Sequence, residues 1–426
     1  MLANGMPIRR TRRLMAGALA LGIGVLTALP SSLAAAATGT ASTRPAVSVA
    51  QQRLFSNIAT PNPNSGGALA GVSADSRSDA WAVGNYSTPA RPYVPFIARW
   101  NGTSWKTVPS PNPGLADGTS LRDVSALSAT DAWAVGTYTP SPGTAGALIL
   151  HWDGTRWRQV RSPSAEDPEL YAVSAVSATD VWAVGIYSTD KVKPFIVHWN
   201  GARWTQVPSP SPGFAGILNG VSARSATDAW AVGDYAPTAS GQLRPLTLHW
   251  NGTRWTEVRS PGLATATGDT GLLGVSTISA DDAWAAGYSA SINRATFLLH
   301  WNGTRWARVC TPEPPAPQPG SGERVETVLS GVSAGSPADV MVTGWYVTID
   351  KADDISYTEF TLHWNGRNWA QLPSPASASG GQLYDTSVVS RNDVWAVGIA
   401  TPDVGASRSL IQNWDGTHWT EVPSPY

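Results

Sequence analysis

Apolar and polar positions along this chain fall into short alternating runs, the pattern of β-strands, separated by clusters of Ser, Pro, Asn, Asp and Gly. One stretch shows the rule. Residues 220–223 predict a short strand a and residues 224–228 a tight polar turn. Residues 229–235 predict a strand b with Trp230 and Val232 on one face and the small Ala229 and Ala231 on the other. Large and small faces suit a sheet held between two neighbouring sheets. Residues 245–250 predict strand c and residues 254–258 strand d. Asn251-Gly252 joins them, a dipeptide that favours a type I′ hairpin with positive φ at both positions. Strands c and d must therefore share a sheet, and the short a–b turn ties those two strands together as well.

The stretch recurs. His249-Trp250-Asn251-Gly252-Thr253-Arg254-Trp255 has six counterparts, at 99–105, 151–157, 198–204, 300–306, 363–369 and 413–419. Upstream of each stands a phrase like Asp228-Ala229-Trp230-Ala231-Val232-Gly233, its aspartate at Asp79, Asp131, Asp180, Asp228, Asp282, Asp339 and Asp393. A period of about 50 residues used seven times predicts an all-β, seven-bladed β-propeller of four-stranded antiparallel blades, since four to eight blades close a ring. The a–b and c–d turns, nearly constant, belong to one face of such a disc. The b–c and d–a connections vary and belong to the other, where recognition is expected. Residues 53–63 resemble the tail of a repeat without its body and are expected to pair beside, or replace, the terminal blade's outer strand.

Repeats of the form Val-Ser-Ala, Asp-x-Trp-Ala-Val-Gly and His-Trp-Asn/Asp-Gly-Thr-x-Trp resemble those of secreted bacterial β-propellers with kelch- or BNR-like blades. The resemblance covers residues 54–426 and implies a fold, not an activity. Trp152-Asp153-Gly154-Thr155-Arg156-Trp157 is similar to the sialidase Asp box but lacks its leading serine and two spacers. Sialidase chemistry is therefore not implied.

The N-terminus adds a destination. Arg9, Arg10, Arg12 and Arg13 precede an uncharged apolar run over 14–29 and a small-residue series over 33–37, which reads as an export signal over 1–37. A flexible leader at 38–52 and a propeller at 53–426 follow. The expected product is extracellular and monomeric, with no membrane insertion once the signal is removed. The formal charge is −1, and losing four arginines makes it about −5, with four lysines in the whole chain. That balance gives no footprint for nucleic acid. Cys310, the sole cysteine, is read as an incidental residue of the repeat frame.

Candidate chemistry is thin because most reactive residue types recur at fixed places. Three tryptophans per repeat account for 20 of the 21, with Met341 standing in one strand-b place, and are read as core; Trp345 is the exception. His151, His198, His249, His300 and His363 share one place, which suits a repeated hydrogen bond, not a metal centre. The seven aspartates are expected to accept backbone N–H groups in the a–b turn. Asn101, Asn251 and Asn302 head Asn-Gly-Thr sequons that are hairpin chemistry first. A galactose-oxidase-like copper site finds no suitable cysteine and histidines.

The irregular material is concentrated in blade six. Residues 345–359 predict its longest b–c loop, after the longest link, residues 310–330. Trp345, Tyr346, Asp350, Asp353, Asp354, Tyr357, Glu359 and Glu326 are the candidate ligand-binding residues, for an extracellular glycan or protein, with Ca²⁺ as a candidate ion at the loop and no other cofactor expected. The main expectation is a non-catalytic binding or scaffold protein. One alternative is a glycoside hydrolase or lyase drawing on acids such as Asp123, Asp350 and Asp385; another is a structural envelope protein without a soluble ligand.

Overall fold

The computed structural model describes residues 67–425 except 116–117, 263–267, 291–294, 316–322, 353, 375–379 and 402–406. The export signal, the leader and residues 53–63 lie outside the described residues.

The described residues form 28 strands in seven antiparallel a-b-c-d blades, arranged as a β-propeller. Blades five and six are further linked by one backbone pair, Tyr288 with Val328. The inner strands are Ala68–Ser76, Thr119–Ser128, Glu169–Ser177, Ala215–Ser225, Thr270–Ser279, Arg324–Ser336 and Gly381–Ser390.

Two sets of repeated residues stitch blade to blade. The first is aromatic. Trp81 of blade one meets Trp152 and Trp157 of blade two at 4.9 and 5.0 Å between ring centroids. The same trio follows at Trp133, Trp182, Trp230 and Trp284, each against the strand-c and strand-d indoles of the next blade. Blade six substitutes Met341, which packs on Trp414 and Trp419. Aromatic pairs of this kind contribute about 0.5–1.5 kcal/mol beyond the area they bury.

The second set is the serine of Val-Ser-Ala. Ser73, Ser125, Ser174, Ser222, Ser276 and Ser333 each accept, through Oγ, a backbone N–H from the inner strand of the following blade, at 2.9 to 3.1 Å. Ser387 of blade seven accepts the N–H of Ala74 in blade one at 3.1 Å, and Trp395 packs on Trp100 and Trp105. The ring thus closes by the same contacts that join any two blades, face to face.

The two loop families sort as the sequence predicts. Each c–d glycine lies against the a–b turn of its own blade: a Cβ on Gly252 would come 2.9 Å from Thr227 Cγ2. On the other side the d–a links bond to the b–c ends, as when Ala290 N–H donates to Asp269 O at 2.7 Å and Thr401 N–H to Gly380 O at 2.8 Å.

Three local expectations are corrected. The c–d hairpin is not a two-residue type I′ turn: only its glycine has positive φ (Gly252, 89°), and the loop spans four residues between paired Trp250 and Trp255. The asparagine side chain closes it, Asn251 Oδ1 accepting Thr253 N–H and Arg254 N–H at 3.1 and 3.0 Å. A side-chain acceptor two and three residues back replaces the positive φ that a non-glycine residue would resist.

The repeated aspartates, secondly, take side-chain donors. His151, His198, His249, His300 and His363 place Nε2 2.7 to 2.9 Å from the aspartate of their own blade, with Asn413 at 2.9 Å and Arg99 in a two-pronged bond to Asp79. The strand-c residue lies opposite the strand-b tryptophan, over which its ring stacks in Trp133–His151, and so reaches the a–b turn.

Thirdly, residues 345–359 are not a loop. Strand b of blade six runs Asp339–Ile349 and strand c Ile355–Trp364, paired along their length to Ile349 and Ile355. The run Trp345-Tyr346-Val347-Thr348-Ile349 is β-branched and aromatic and extends the hairpin instead of ending it.

Candidate functional site

The inner strands are not straight. In every blade the pairing of a with b slips by one residue at the same height, between Leu69 and Gly71 in blade one and between Leu383 and Asp385 in blade seven. The extra residue of this β-bulge is Ala70, Arg122, Tyr171, Asn219, Leu273, Ser330 or Tyr384 around the ring. All seven line one central cavity of about 300 Å³. A bulge re-aims the residue it inserts, here toward the axis. It also explains the glycine of Asp-x-Trp-Ala-Val-Gly: a Cβ on Gly84, Gly233 or Gly344 would stand 2.0 Å from a carbonyl oxygen of the inner strand folded over it. The leucine before each bulged residue, Leu69 through Leu383, is wholly buried.

Below the bulge the next residue is Gly71, Asp123, Ala172, Gly220, Gly274, Gly331 or Asp385. Two of seven are acids, and they flank blade one, whose pair Ala70-Gly71 is the smallest in the ring. Asp385 Oδ2 accepts Val72 N–H at 2.9 Å. Asp123 accepts Val173 N–H through Oδ2 at 2.8 Å and Val124 N–H through Oδ1 at 2.7 Å. Both carboxyls are half-buried and line the cavity. Burial, joined for Asp123 by the neighbouring Asp385 carboxylate, raises them unequally, Asp123 to about 8 and Asp385 to about 6.

The rest of the wall is polar and held in place. Tyr171 OH donates to Glu169 Oε2 at 3.2 Å and Tyr384 OH to Gln382 Oε1 at 3.1 Å. Burial pushes both phenols up, with the Glu169 carboxylate adding to the rise at Tyr171. Asn219, only 7% exposed, donates from Nδ2 to Leu272 O at 2.9 Å, while its Oδ1 has no hydrogen-bond partner among the described residues. Nearby Asp234, deeply buried, is raised well above the usual carboxylate range by desolvation. Among the described residues no three His, Cys, Asp or Glu side chains gather as a metal site.

The candidate residues of blade six divide. Trp345 is 8% exposed and belongs to the cavity wall, edge-on to Tyr384 at 5.5 Å. Tyr357 is half-buried in the same apolar cluster. Glu326 is buried at the inner strand's upper end, its carboxyl raised by desolvation, and Oε1 has no partner among the described residues. Glu359 is buried and accepts Gln412 Nε2 of blade seven at 2.8 Å. Tyr346 packs on Phe360 on the opposite face. Asp350 caps the hairpin turn, accepting Ala352 and Asp354 N–H at 2.8 and 2.9 Å, and exposed Asp354 lies beside it. Asp353 lies outside the described residues. The seven described positions thus do not form one site: of these, Trp345 alone joins the cavity wall.

The bulged ring went unread in the sequence because each copy spells it differently. The signal was there as a column of non-repetition, Ala-Arg-Tyr-Asn-Leu-Ser-Tyr, between an unchanging leucine and the Val-Ser-Ala phrase.

Comparison with solved structures places the fold among known propellers. A PL25 ulvan lyase bound to -[GlcA(1-4)Rha3S]- superposes with a TM-score of 0.52 at 10% identity, over 85% of this chain and 97% of its own. YCF48 from Cyanidioschyzon merolae gives 0.49 at 14% identity, over 83% and 97%. The SapL1 lectin in complex with alpha methyl fucoside gives 0.41 at 11%, over 87% and 100%. At these identities the likeness is one of fold. No protein-family model matches the chain, and no curated protein does.

Proposed function

We propose that this chain is an exported, monomeric recognition protein whose central cavity takes a polar ligand of saccharide size, with the b–c and d–a loops as its rim. The observation that carries the reading is the division of labour in the inner strands. What repeats there packs or stitches; the two adjacent columns that do not repeat, the bulged residue and the one after it, line a cavity. Its volume is at the lower end of small-molecule sites, room for about one or two sugar rings. Ring faces at Trp345, Tyr171 and Tyr384, amide and carboxyl groups at Asn219, Asp123 and Asp385, and the cation of Arg122 are the groups that bind hydroxylated rings.

The test is a glycan array followed by calorimetry on the mature chain. Saturable binding that weakens at least about tenfold in Tyr384→Ala supports the cavity. Binding that survives Tyr384→Ala but fails when the rim loops are shortened would move recognition to the loops. No saturable glycan at all would favour a structural role.

A second reading, a glycoside hydrolase or lyase, has one observation in its favour: Asp123 and Asp385, unlike the repeated aspartates, are unique and face one cavity. Asp350 has no part in it, since it sits at the hairpin tip and caps its own turn.

A further inference from the structure

We propose that Asp123 and Asp385 are the acid and base of a glycosidase site that removes a terminal sugar lodged over blade one. The inference rests on the cavity being a saccharide site and adds a reaction to it.

The geometry comes from Gly71. A Cβ there would lie 3.0 Å from Asp123 Oδ1, and the amide of the following residue, Val72, donates to Asp385 Oδ2 at 2.9 Å. Gly71 is where the backbone of blade two closes on blade one, a Cβ there standing 2.7 Å from Asp123 Cα. Backbone dimensions then hold the two carboxyls within about 10 Å of each other, and both line the cavity beside the small Ala70. That bound includes the spans at which a carboxyl pair acts on a glycosidic bond. Elsewhere the same place is glycine or alanine, so no other two blades provide such a pair. Asn219, nine-tenths buried with Oδ1 unpartnered, lines the same cavity and offers an acceptor to a sugar hydroxyl.

Burial raises both carboxyls, and as a coupled pair they release their protons in two steps, so that over part of the pH range the pair holds one proton. Asp123 has its proton affinity raised further, by burial and by Asp385; Asp385 is raised less. Arg122, Tyr171 and Tyr384 are the other titratable groups of the cavity wall. In the step, Asp123 delivers its proton to the glycosidic oxygen as the bond from that oxygen to the anomeric carbon breaks. A water oxygen bonds to that carbon, and its proton passes to Asp385. Asp385 then releases that proton to solvent and Asp123 takes one back, so the sum is glycoside plus water giving free sugar plus alcohol. No metal or redox partner enters. The small volume and the enclosing ring favour a chain end over the middle of a polymer.

The experiment uses the mature chain and a panel of 4-nitrophenyl and 2,4-dinitrophenyl glycosides of neutral hexoses, deoxyhexoses and glucuronic acid, in both anomers. The expected result is turnover of at least one 4-nitrophenyl glycoside. Its pH profile should be bell-shaped, with both limbs displaced above the ordinary carboxylate range, because burial raises both members of the pair. Asp123→Asn should lower kcat on that substrate at least about 100-fold but much less on the 2,4-dinitrophenyl one, whose leaving group needs no acid. Asp385→Asn should lower both. Thermal unfolding of each variant separates lost chemistry from a lost fold, and the wild-type pH profile stands without any variant. Glycan binding with no turnover across the panel overturns the inference and leaves the binding reading intact. Neither binding nor turnover removes both. An unsaturated uronate product, seen by its ultraviolet absorbance, would mean elimination and would also overturn it.

Discussion

The belt of indoles and the wall of the channel use adjacent strands of the same blades in opposite ways. The belt is periodic: six of its seven junctions hold the same trio, and ring closure between blades seven and one is chemically like any other junction. The cavity wall is aperiodic all the way round, changing from alanine to arginine to tyrosine over three consecutive blades. The difference teaches that cohesion in a ring needs the same contact seven times. A ligand needs unlike groups converging once.

That contrast can be broken or sharpened by experiment. The largest effect should come from the belt: Trp182→Ala, at a site 1% exposed between Trp250 and Trp255, should cost about 3–5 kcal/mol in chemical denaturation. Met341→Ala, at the one junction lacking the strand-b indole, should cost less, about 2–3 kcal/mol. An equal or greater loss at Met341 would mean that the trio adds nothing beyond bulk.

The channel shows itself next, through pH. Asp123 and Asp385 bind protons more tightly folded than unfolded, so their contribution is complete below about pH 4 and is lost as pH rises through 6 to 8. A fall in Tm on the order of 5 °C over that window is expected by calorimetry, flattened in the Asp123→Asn, Asp385→Asn double variant. A flat wild-type curve would remove the buried pair.

Smaller again, Asp228→Ala strips the acceptor from His249 and Arg224 and should cost about 1–3 kcal/mol. Ser174→Ala, which leaves the Ala223 N–H without its bond across the junction, should cost about 1 kcal/mol. The smallest stability effect should be at the ring itself: Arg122→Met is expected to stay within about 1 kcal/mol while weakening ligand. A large stability loss there would make the ring part of the scaffold.

Much of this was legible in residue order. Alternation in Ala229-Trp230-Ala231-Val232 gave strand b its two faces, the Trp-Asn-Gly-Thr-x-Trp phrase paired c with d, and the sevenfold count gave the ring, all of which the fold bears out. Blade six misled because Gly344-Trp345-Tyr346 departs from its repeat. Departure was read as irregular chain, whereas these residues simply favour a longer hairpin. The aspartates were placed correctly in the a–b turn but given the wrong donors, since nothing local says that a strand-c histidine some 20 residues on will reach them.

By itself, the sequence determined the blade, its number of copies and the residues that cement one copy to the next, because periodic burial writes itself into periodic composition. Only the tertiary structure decided where the unlike residues go. A one-residue slip in pairing is spelled differently in every copy, yet it turns seven separate side chains toward one axis, and the ring brings Asp123 and Asp385, 262 positions apart in the chain, onto the adjacent residues Gly71 and Val72 of blade one.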